Sequence, residues 1–373
     1  MSRCFAYVGC CNRPTPYFAS SNGKGIAVFT FDTATGEMQP AGVREGIDNP
    51  TFLSVAPSGR HLYANSEVFG WNEGTVSAYA IDAATGDLSY LDKQPALGSI
   101  TAFNSFDRSG RHLLVANYGM GPVSEKPNRS VAVFPIAGDG TLGPASAHAG
   151  HEGAGPDPDR QERPHAHAAR ISLDNRFVLV SDLGIDAIVV YRFDEASGSI
   201  VRSHACPLPA GSGPRHFVFD NAGARVFVVN ELNSTVCSFA YDARFGQLRL
   251  IDTRATIPEG TGGNHCSEIT LAPSGQRLFV ANRGHDSIAT LAIDPQTGRL
   301  HFEGTTPAVG KTPRHMAVDP SGRFLIVANQ DSDCLSAFRI GEDGEKLSHV
   351  GSIATGTPTC IAFAPAPNQQ GGA

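Results

Sequence analysis

Ala272-Pro273-Ser274-Gly275-Gln276-Arg277-Leu278-Phe279-Val280-Ala281-Asn282 is a polar turn followed by an apolar run that ends in Ala-Asn. The phrase returns. Ala56-Pro57-Ser58-Gly59-Arg60 leads to Ala64-Asn65, and Arg108-Ser109-Gly110-Arg111 leads to Val115-Ala116-Asn117. Asp319-Pro320-Ser321-Gly322-Arg323 leads to Val327-Ala328-Asn329. Weaker copies stand at Leu173-Asp174-Asn175-Arg176 and Asp220-Asn221-Ala222-Gly223. The turn residues are therefore Gly59, Gly110, Asn175, Gly223, Gly275 and Gly322, with steps of 51, 65, 48, 52 and 47 residues. A unit of that length accommodates four short strands and their turns, which is a propeller blade.

Each unit carries a second hairpin on a small-residue pair: Ala34-Thr35-Gly36, Ala84-Thr85-Gly86, Ala196-Ser197-Gly198 and Gln296-Thr297-Gly298. Runs such as Phe227-Val228-Val229 are short, β-branched or aromatic, and bounded by turn residues, as strands are. No window of helical period stands out. The last copy, Thr357 to Pro365, stops after its first strand, and Arg3-Cys4-Phe5-Ala6-Tyr7-Val8-Gly9 reads as the strand it lacks. Pairing Cys4–Val8 beside Cys360–Phe363 would close the ring and remove its open edges. The expectation is an all-β, seven-bladed β-propeller. It takes residues 1–373 as one domain, closed by its N- and C-terminal strands, with a disordered tail from about residue 366.

Glycine is abundant, at 41 of 373 residues, as a turn-rich fold requires. The formal charge of −7 and the lack of a basic run exclude nucleic acid as a partner. No apolar stretch of membrane-spanning length occurs, and Met1-Ser2-Arg3-Cys4 does not open a signal peptide. The eight cysteines are unevenly spaced and several fall in expected strands, which points to free thiols in a reducing cytoplasm.

The 65-residue step carries an insertion, placed either at Gly119–Arg129 or at His148–Pro164. The second stretch leads straight into Pro164-His165-Ala166-His167. Long loops on a rigid scaffold are often functional.

Internal repeats allow positions to be compared within the chain. Eight residues before each turn stand Thr51, Ala102, His167, Arg215, Ser267 and Arg314, with Thr359 in the last copy. Ten before stand Asn49, Ile100, His165, Gly213, His265, Thr312 and Thr357. Residues two apart in a strand share a face. Both registers are thus expected at the start of the innermost strand, at the mouth of the central channel. Eight residues after each turn stand Glu67, Tyr118, Leu183, Glu231, Arg283 and Gln330. The mouth should therefore collect His165, His167, Arg215, His265 and Arg314, joined by Glu67, Glu231 and Arg283. Arginine forks suit carboxylate or phosphate oxygens, and histidine beside a carboxylate suits proton transfer near neutral pH.

His216 and His315, one residue off the ring, are expected to face a neighbouring blade as packing or hydrogen-bonding residues. Asn117, Asn230, Asn282 and Asn329 are read as turn formers at strand ends. His165 and His167 could share an ion, but only His265 offers a third ligand, so neither metal nor cofactor is expected.

Pro164-His165-Ala166-His167, Ser181-Asp182-Leu183-Gly184-Ile185-Asp186, Gly213-Pro214-Arg215-His216, Val229-Asn230-Glu231-Leu232-Asn233-Ser234 and Ala281-Asn282-Arg283-Gly284-His285-Asp286 together carry a resemblance. They resemble the lactonase family of seven-bladed propellers, whose members include propeller-type 6-phosphogluconolactonase and 3-carboxymuconate cyclase. The resemblance runs from Tyr7-Val8-Gly9 to Ala362-Phe363, although Cys10-Cys11 replaces the Thr-rich turn usual in the family. It implies a catalytic set of His167 (or His165), Arg215, Glu231 and Arg283. His165, His265, Arg314 and Glu67 are left to bind substrate. The implied reaction is hydrolysis of a sugar-acid lactone, 6-phosphogluconolactone or a related aldonolactone, with Glu231 or His167 taking the proton from water. The same set would serve the 3-carboxymuconate cycloisomerase direction, and a non-catalytic binding propeller is the rival class. The expected partner is a small anionic lactone or sugar acid, and the expected state is a monomer or weak homo-oligomer.

Overall fold

Valine, isoleucine, phenylalanine and alanine fill the second strand of each unit without polar alternation. Phe177–Asp182 and Phe324–Asn329 are buried at every position. A strand with both faces covered reads as continuous apolar sequence, because it is packed between two neighbours. The outermost strands, such as Met38–Arg44 and Ser199–Pro207, are mostly exposed. That gradient from inside to rim is what a radial stack of small sheets produces.

The computed structural model describes residues 3–121, 127–342, 344 and 346–364. The tail expected from about residue 366 lies outside them. The described residues form seven four-stranded sheets. Six run innermost to outermost in chain order, from the sheet that starts at Leu53–Val55 to the one that ends at Leu347–Ala354. In the seventh, Pro358–Ala364 is innermost and pairs with Arg3–Cys10, followed by Ile26–Asp32 and Met38–Arg44. Its register sets Phe5 against Ala364, Tyr7 against Ala362 and Gly9 against Cys360, which is the expected closure. No helix among the described residues is long and apolar enough to cross a membrane.

Facing blades bury large rings between them. Phe227, Phe279 and Phe324 are fully buried, and truncating such a side chain to alanine costs about 3–5 kcal/mol. Blades are also clasped at their corners. Asp186, Asp286 and Asp333 adopt left-handed backbone conformations, with φ of 49°, 52° and 48°. Their Oδ1 atoms accept the amides of Gly213, Thr312 and Thr357 in the next blade at 2.7, 2.8 and 2.6 Å.

One expectation is extended and another corrected. The strand-end asparagines stand where strands turn, Asn329 as the cap of the 3-10 turn Gln330–Ser332, but turn formation is not their whole role. Asn117, Asn282 and Asn329 bond backbone carbonyls across the blade edge: Asn117 Nδ2 donates to Ala96 O at 2.8 Å, Asn282 Nδ2 to Thr256 O at 3.1 Å and Asn329 Nδ2 to Ala308 O at 3.2 Å. Simple alternation also fails in the innermost strands. Six of the seven have a register break at the position eight before the turn. Ala102, His167, Arg314 and Thr359 are left out of pairing there singly, and Arg215 with His216 and Ser267 with Glu268 as pairs. Such bulges re-aim side chains, and here they bring Ala102, His167, Arg215 and Arg314 to the channel mouth, while Ser267 and Thr359 bond the carbonyls of Pro313 and Gly9.

Candidate active site

The bulge register and the register eight after the turn meet at one end of the channel. They line a cavity of about 410 Å³. All eight residues singled out in the sequence border it: His165, His167, Arg215, Glu231, His265, Arg283, Arg314 and Glu67.

Glu231 is the centre of charge. Its Oε2 lies 3.1 Å from Arg215 Nε and 2.8 Å from Arg283 Nη2, and its Oε1 lies 2.5 Å from Arg160 Nη2. The Arg215 Nε contact is an ion pair without hydrogen-bond alignment. Burial alone would raise the Glu231 carboxyl. Arg283, Arg160 and Arg215 outweigh it and hold the group well below the usual carboxylate range. Three guanidinium groups around one carboxylate leave the floor of the cavity positive. Arg215 records this: burial first, then Arg283 and Arg314, push its pKa down to about 9.

His167 is different. It is buried, and no protein hydrogen bond reaches its ring among the described residues; Nδ1 is enclosed without a partner. Its ring stands edge-on to Tyr118 at 5.7 Å and to His216 at 5.1 Å. Burial, then Arg215 and His216, hold the imidazole well below the ordinary histidine range. It is a neutral base beside a cationic cluster. His165 is committed instead: Nδ1 donates toward the carbonyls of Tyr118 and Gly119 at 3.0 and 3.1 Å, and its ring stacks on Tyr118 at 4.2 Å. His265 stands exposed at the rim, and its carbonyl accepts from Arg283 Nε at 3.3 Å.

On the far side, Glu67 accepts from Thr51 Oγ1 at 2.5 Å and Tyr17 OH at 3.1 Å. Arg314 Nη2 approaches Glu67 only to 3.8 Å, and its guanidinium lies 4.6 Å over the Phe18 ring. Arg314 makes no side-chain hydrogen bond among the described residues.

Sequence comparison of registers missed Arg160, which belongs to no register. It comes from the insertion at 150–164, and that loop is anchored from below. His151 Nδ1 donates to Asp182 Oδ2 at 2.5 Å, while Tyr191 OH donates to His151 Nε2 at 2.7 Å. Gln161 Nε2 donates to Leu183 O at 2.8 Å. Gly184 permits the closest approach: a Cβ there would fall 1.8 Å from the Arg163 carbonyl oxygen. The Gly and Pro content of the loop marked it as an insertion, but nothing in it marked which arginine turns inward.

A second layer lies directly beneath. His315 Nδ1 accepts from Ile361 N at 3.3 Å, which puts its proton on Nε2, 3.2 Å from Glu268 Oε2. His216 Nδ1 donates to the same oxygen at 2.9 Å, leaving Nε2 to accept from Arg215 Nη1 at 3.4 Å. The chain is consistent with two neutral imidazoles, and burial lowers the pKa of both. His216 and His315 therefore bond to a neighbouring blade, as expected, but they do so inside the channel and support Arg215 from below.

Among the described residues, no group of three or more His, Cys, Asp and Glu side chains converges as a metal site. The positive charge at this mouth is supplied by arginine.

The whole chain has relatives with this architecture. A 6-phosphogluconolactonase of Bacillus subtilis (strain 168) is 30% identical over 365 residues, covering 97% of this chain and 99% of the relative. A 6-phosphogluconolactonase of Formosa agariphila is 32% identical over 330 residues, covering 87% and 91%. The solved structure of a periplasmic gluconolactonase from Pseudomonas aeruginosa superposes with a TM-score of 0.88 at 32% identity, covering 98% of this chain and 100% of that one. The model of the family described as Lactonase, 7-bladed beta-propeller matches residues 5–363, essentially the ring from its first strand to its last, and this chain belongs to that family.

Proposed function

We propose that this protein hydrolyses a sugar-acid lactone, 6-phosphogluconolactone or a related aldonolactone, at the channel mouth. The observation that carries the reading is His167, a neutral imidazole with no protein partner, beside arginines gathered on Glu231 in one cavity. Glu231 is too strongly held as an anion to be the better proton acceptor. His167 takes a proton from water as the water oxygen attacks the lactone carbonyl carbon. Charge builds on the carbonyl oxygen, and Arg160 and Arg283 supply preorganised donors for it. Neither arginine has a protein hydrogen bond at Nη1 among the described residues. Collapse breaks the ring C–O bond, and the imidazolium returns its proton to the departing ring oxygen. The product is the open hydroxy acid.

Arg314, with its donors uncommitted, binds the anionic or hydroxyl-rich end of the substrate. The lactonase names of relatives matched over most of their length support hydrolysis over the cycloisomerase direction. The eight free thiols, six of them buried, support a reducing cytoplasm as the site of action. Large exposed apolar side chains such as Val43, Tyr90, Val201 and Phe245 are spread over different blades, which supports a monomer or weak homo-oligomer.

The test is a panel of aldonolactones, with and without a phosphate, alongside 3-carboxymuconate. Acid release from at least one lactone, lost in His167→Ala, is the expected result. Turnover of 3-carboxymuconate alone, or of nothing in the panel, would overturn the reading.

A further inference from the structure

The innermost strands run from the arginine-rich mouth to the Ser-Gly turns, so the channel has a second mouth at the turn side. A cavity of about 580 Å³ opens there, lined by Ser54, Pro57, Phe106, Arg108, Arg170 and Phe363 among others. Phe52, Phe103, His216, Glu268 and His315 fill the channel between the two cavities, packed ring against ring. The two mouths are therefore separate sites.

Arg170 is the unusual residue. It lies five positions before Asn175 on the strand Ala166–Ile171. Its guanidinium carbon sits 4.9 Å over the Phe103 ring. No side-chain hydrogen bond or ion pair to the guanidinium exists among the described residues, and Nε is enclosed without a partner. A cation–π contact attracts the charge but uses none of the five N–H donors. Arg170 is half-buried, with its outer nitrogens facing the cavity and only Nε enclosed. A guanidinium this far out of water is ordinarily paired, because desolvating an unpaired charge is costly. Burial pulls the Arg170 pKa below its ordinary value, and Glu268 opposes this only through space. Arg170 thus lacks the counter-charge that Arg215, Arg283 and Arg160 find in Glu231.

We propose that the turn-side mouth is a second binding site, for an organic monocarboxylate whose carboxylate forks onto Arg170 and whose apolar body lies against the phenylalanine rings. A planar guanidinium matches a planar carboxylate with two parallel hydrogen bonds. Phe106 and Phe363, both half-buried, offer apolar surface, while Phe52 and Phe103 are buried in the packing between the two cavities. The nearby hydroxyls are committed: Ser54 Oγ donates to Asn104 O at 2.9 Å and Ser105 Oγ to Ala169 O at 2.6 Å. Asn104, Asp107 and Arg108 also line the cavity, and hydroxyls of a polyhydroxy acid that fell against the phenylalanine rings would be unmatched, which is unfavourable. The site therefore favours an apolar carboxylate over the sugar acids that the other mouth is read to handle, and it stands whether or not that reading holds.

The probe is 4-bromobenzoate, titrated calorimetrically into the whole protein. Saturable binding is expected, weakened at least about tenfold in Arg170→Met, as loss of a charged hydrogen-bond pair implies. Gluconate should not compete. Equal binding by both proteins, competition by gluconate, or no saturable binding to the wild type would each overturn the proposal. Crystals of the wild type soaked in 4-bromobenzoate give a check independent of the variant. A bromine anomalous peak should lie in the Arg170 cavity, and a peak confined to the other mouth, or none, counts against the site.

Discussion

Arg160 Nη2 lies 2.5 Å from Glu231 Oε1, joining an inserted loop to a blade 71 residues further along the chain. Three arginines converge on that carboxylate, so Glu231→Gln disperses the whole cluster. Removing one preorganised donor set costs roughly 10²–10³ in turnover. Glu231→Gln and Arg283→Ala should each lower kcat by that order, with folded-state circular dichroism unchanged. Wild-type kcat in both variants would remove this mouth from the reaction.

His167 predicts the pH dependence. A base must be neutral to act, and this imidazole is held well below 6.5 by burial and by Arg215 and His216. The acid limb of kcat/KM should therefore lie below pH 6.5. Arg215 depresses the imidazole and Glu231 raises it. Arg215→Gln should move the limb to higher pH, and Glu231→Gln should move it lower. Rate profiles of the three proteins decide the matter, and shifts in the same direction would contradict the assignment of His167 as base.

Arg314 stands across the cavity from Glu231 and keeps its donors unengaged. Arg314→Ala should raise KM roughly 10- to 100-fold with a smaller change in kcat, the pattern of lost ground-state binding. Steady-state kinetics on the best lactone measures it.

Gly184 controls the loop from a distance. A methyl group there would overlap the Arg163 carbonyl, so Gly184→Ala must push the loop outward. Overpacking costs about 1–3 kcal/mol. Loss of Arg160 from Glu231 should lower activity as Arg160→Ala does. The check is whether Gly184→Ala and Arg160→Ala combine without a further loss, as two routes to one defect should.

Activity should persist in excess chelator, because Arg160, Arg215 and Arg283 supply the positive charge that a metal would bring. A stoichiometric ion whose removal abolishes turnover, measured by elemental analysis and assay together, would reverse that expectation.

Much of this was legible in the chain. A repeat with near-constant period must form equivalent units, so each register becomes one height along the axis. His167, Arg215 and Arg314 could be placed together for that reason, and the missing strand of the last copy could be matched to Arg3–Cys10. Chemistry followed, since cations gathered at one height on an axis must face one another.

Tertiary structure alone decided the rest. Period gives height but not azimuth: the bulges at Ala102, His167, Arg215 and Arg314 turn these side chains inward, and pairing across the blade sets a bulge. The buried His216–Glu268–His315 chain follows from the same turn. Arg160 had no register to be read from, because an insertion has no copies, and its place depends on His151, Gln161 and Gly184 docking against another strand. The repeat determined which residues share the channel. Long-range packing decided which of them are held by protein and which, like His167, Arg314 and Arg170, have no side-chain hydrogen bond among the described residues.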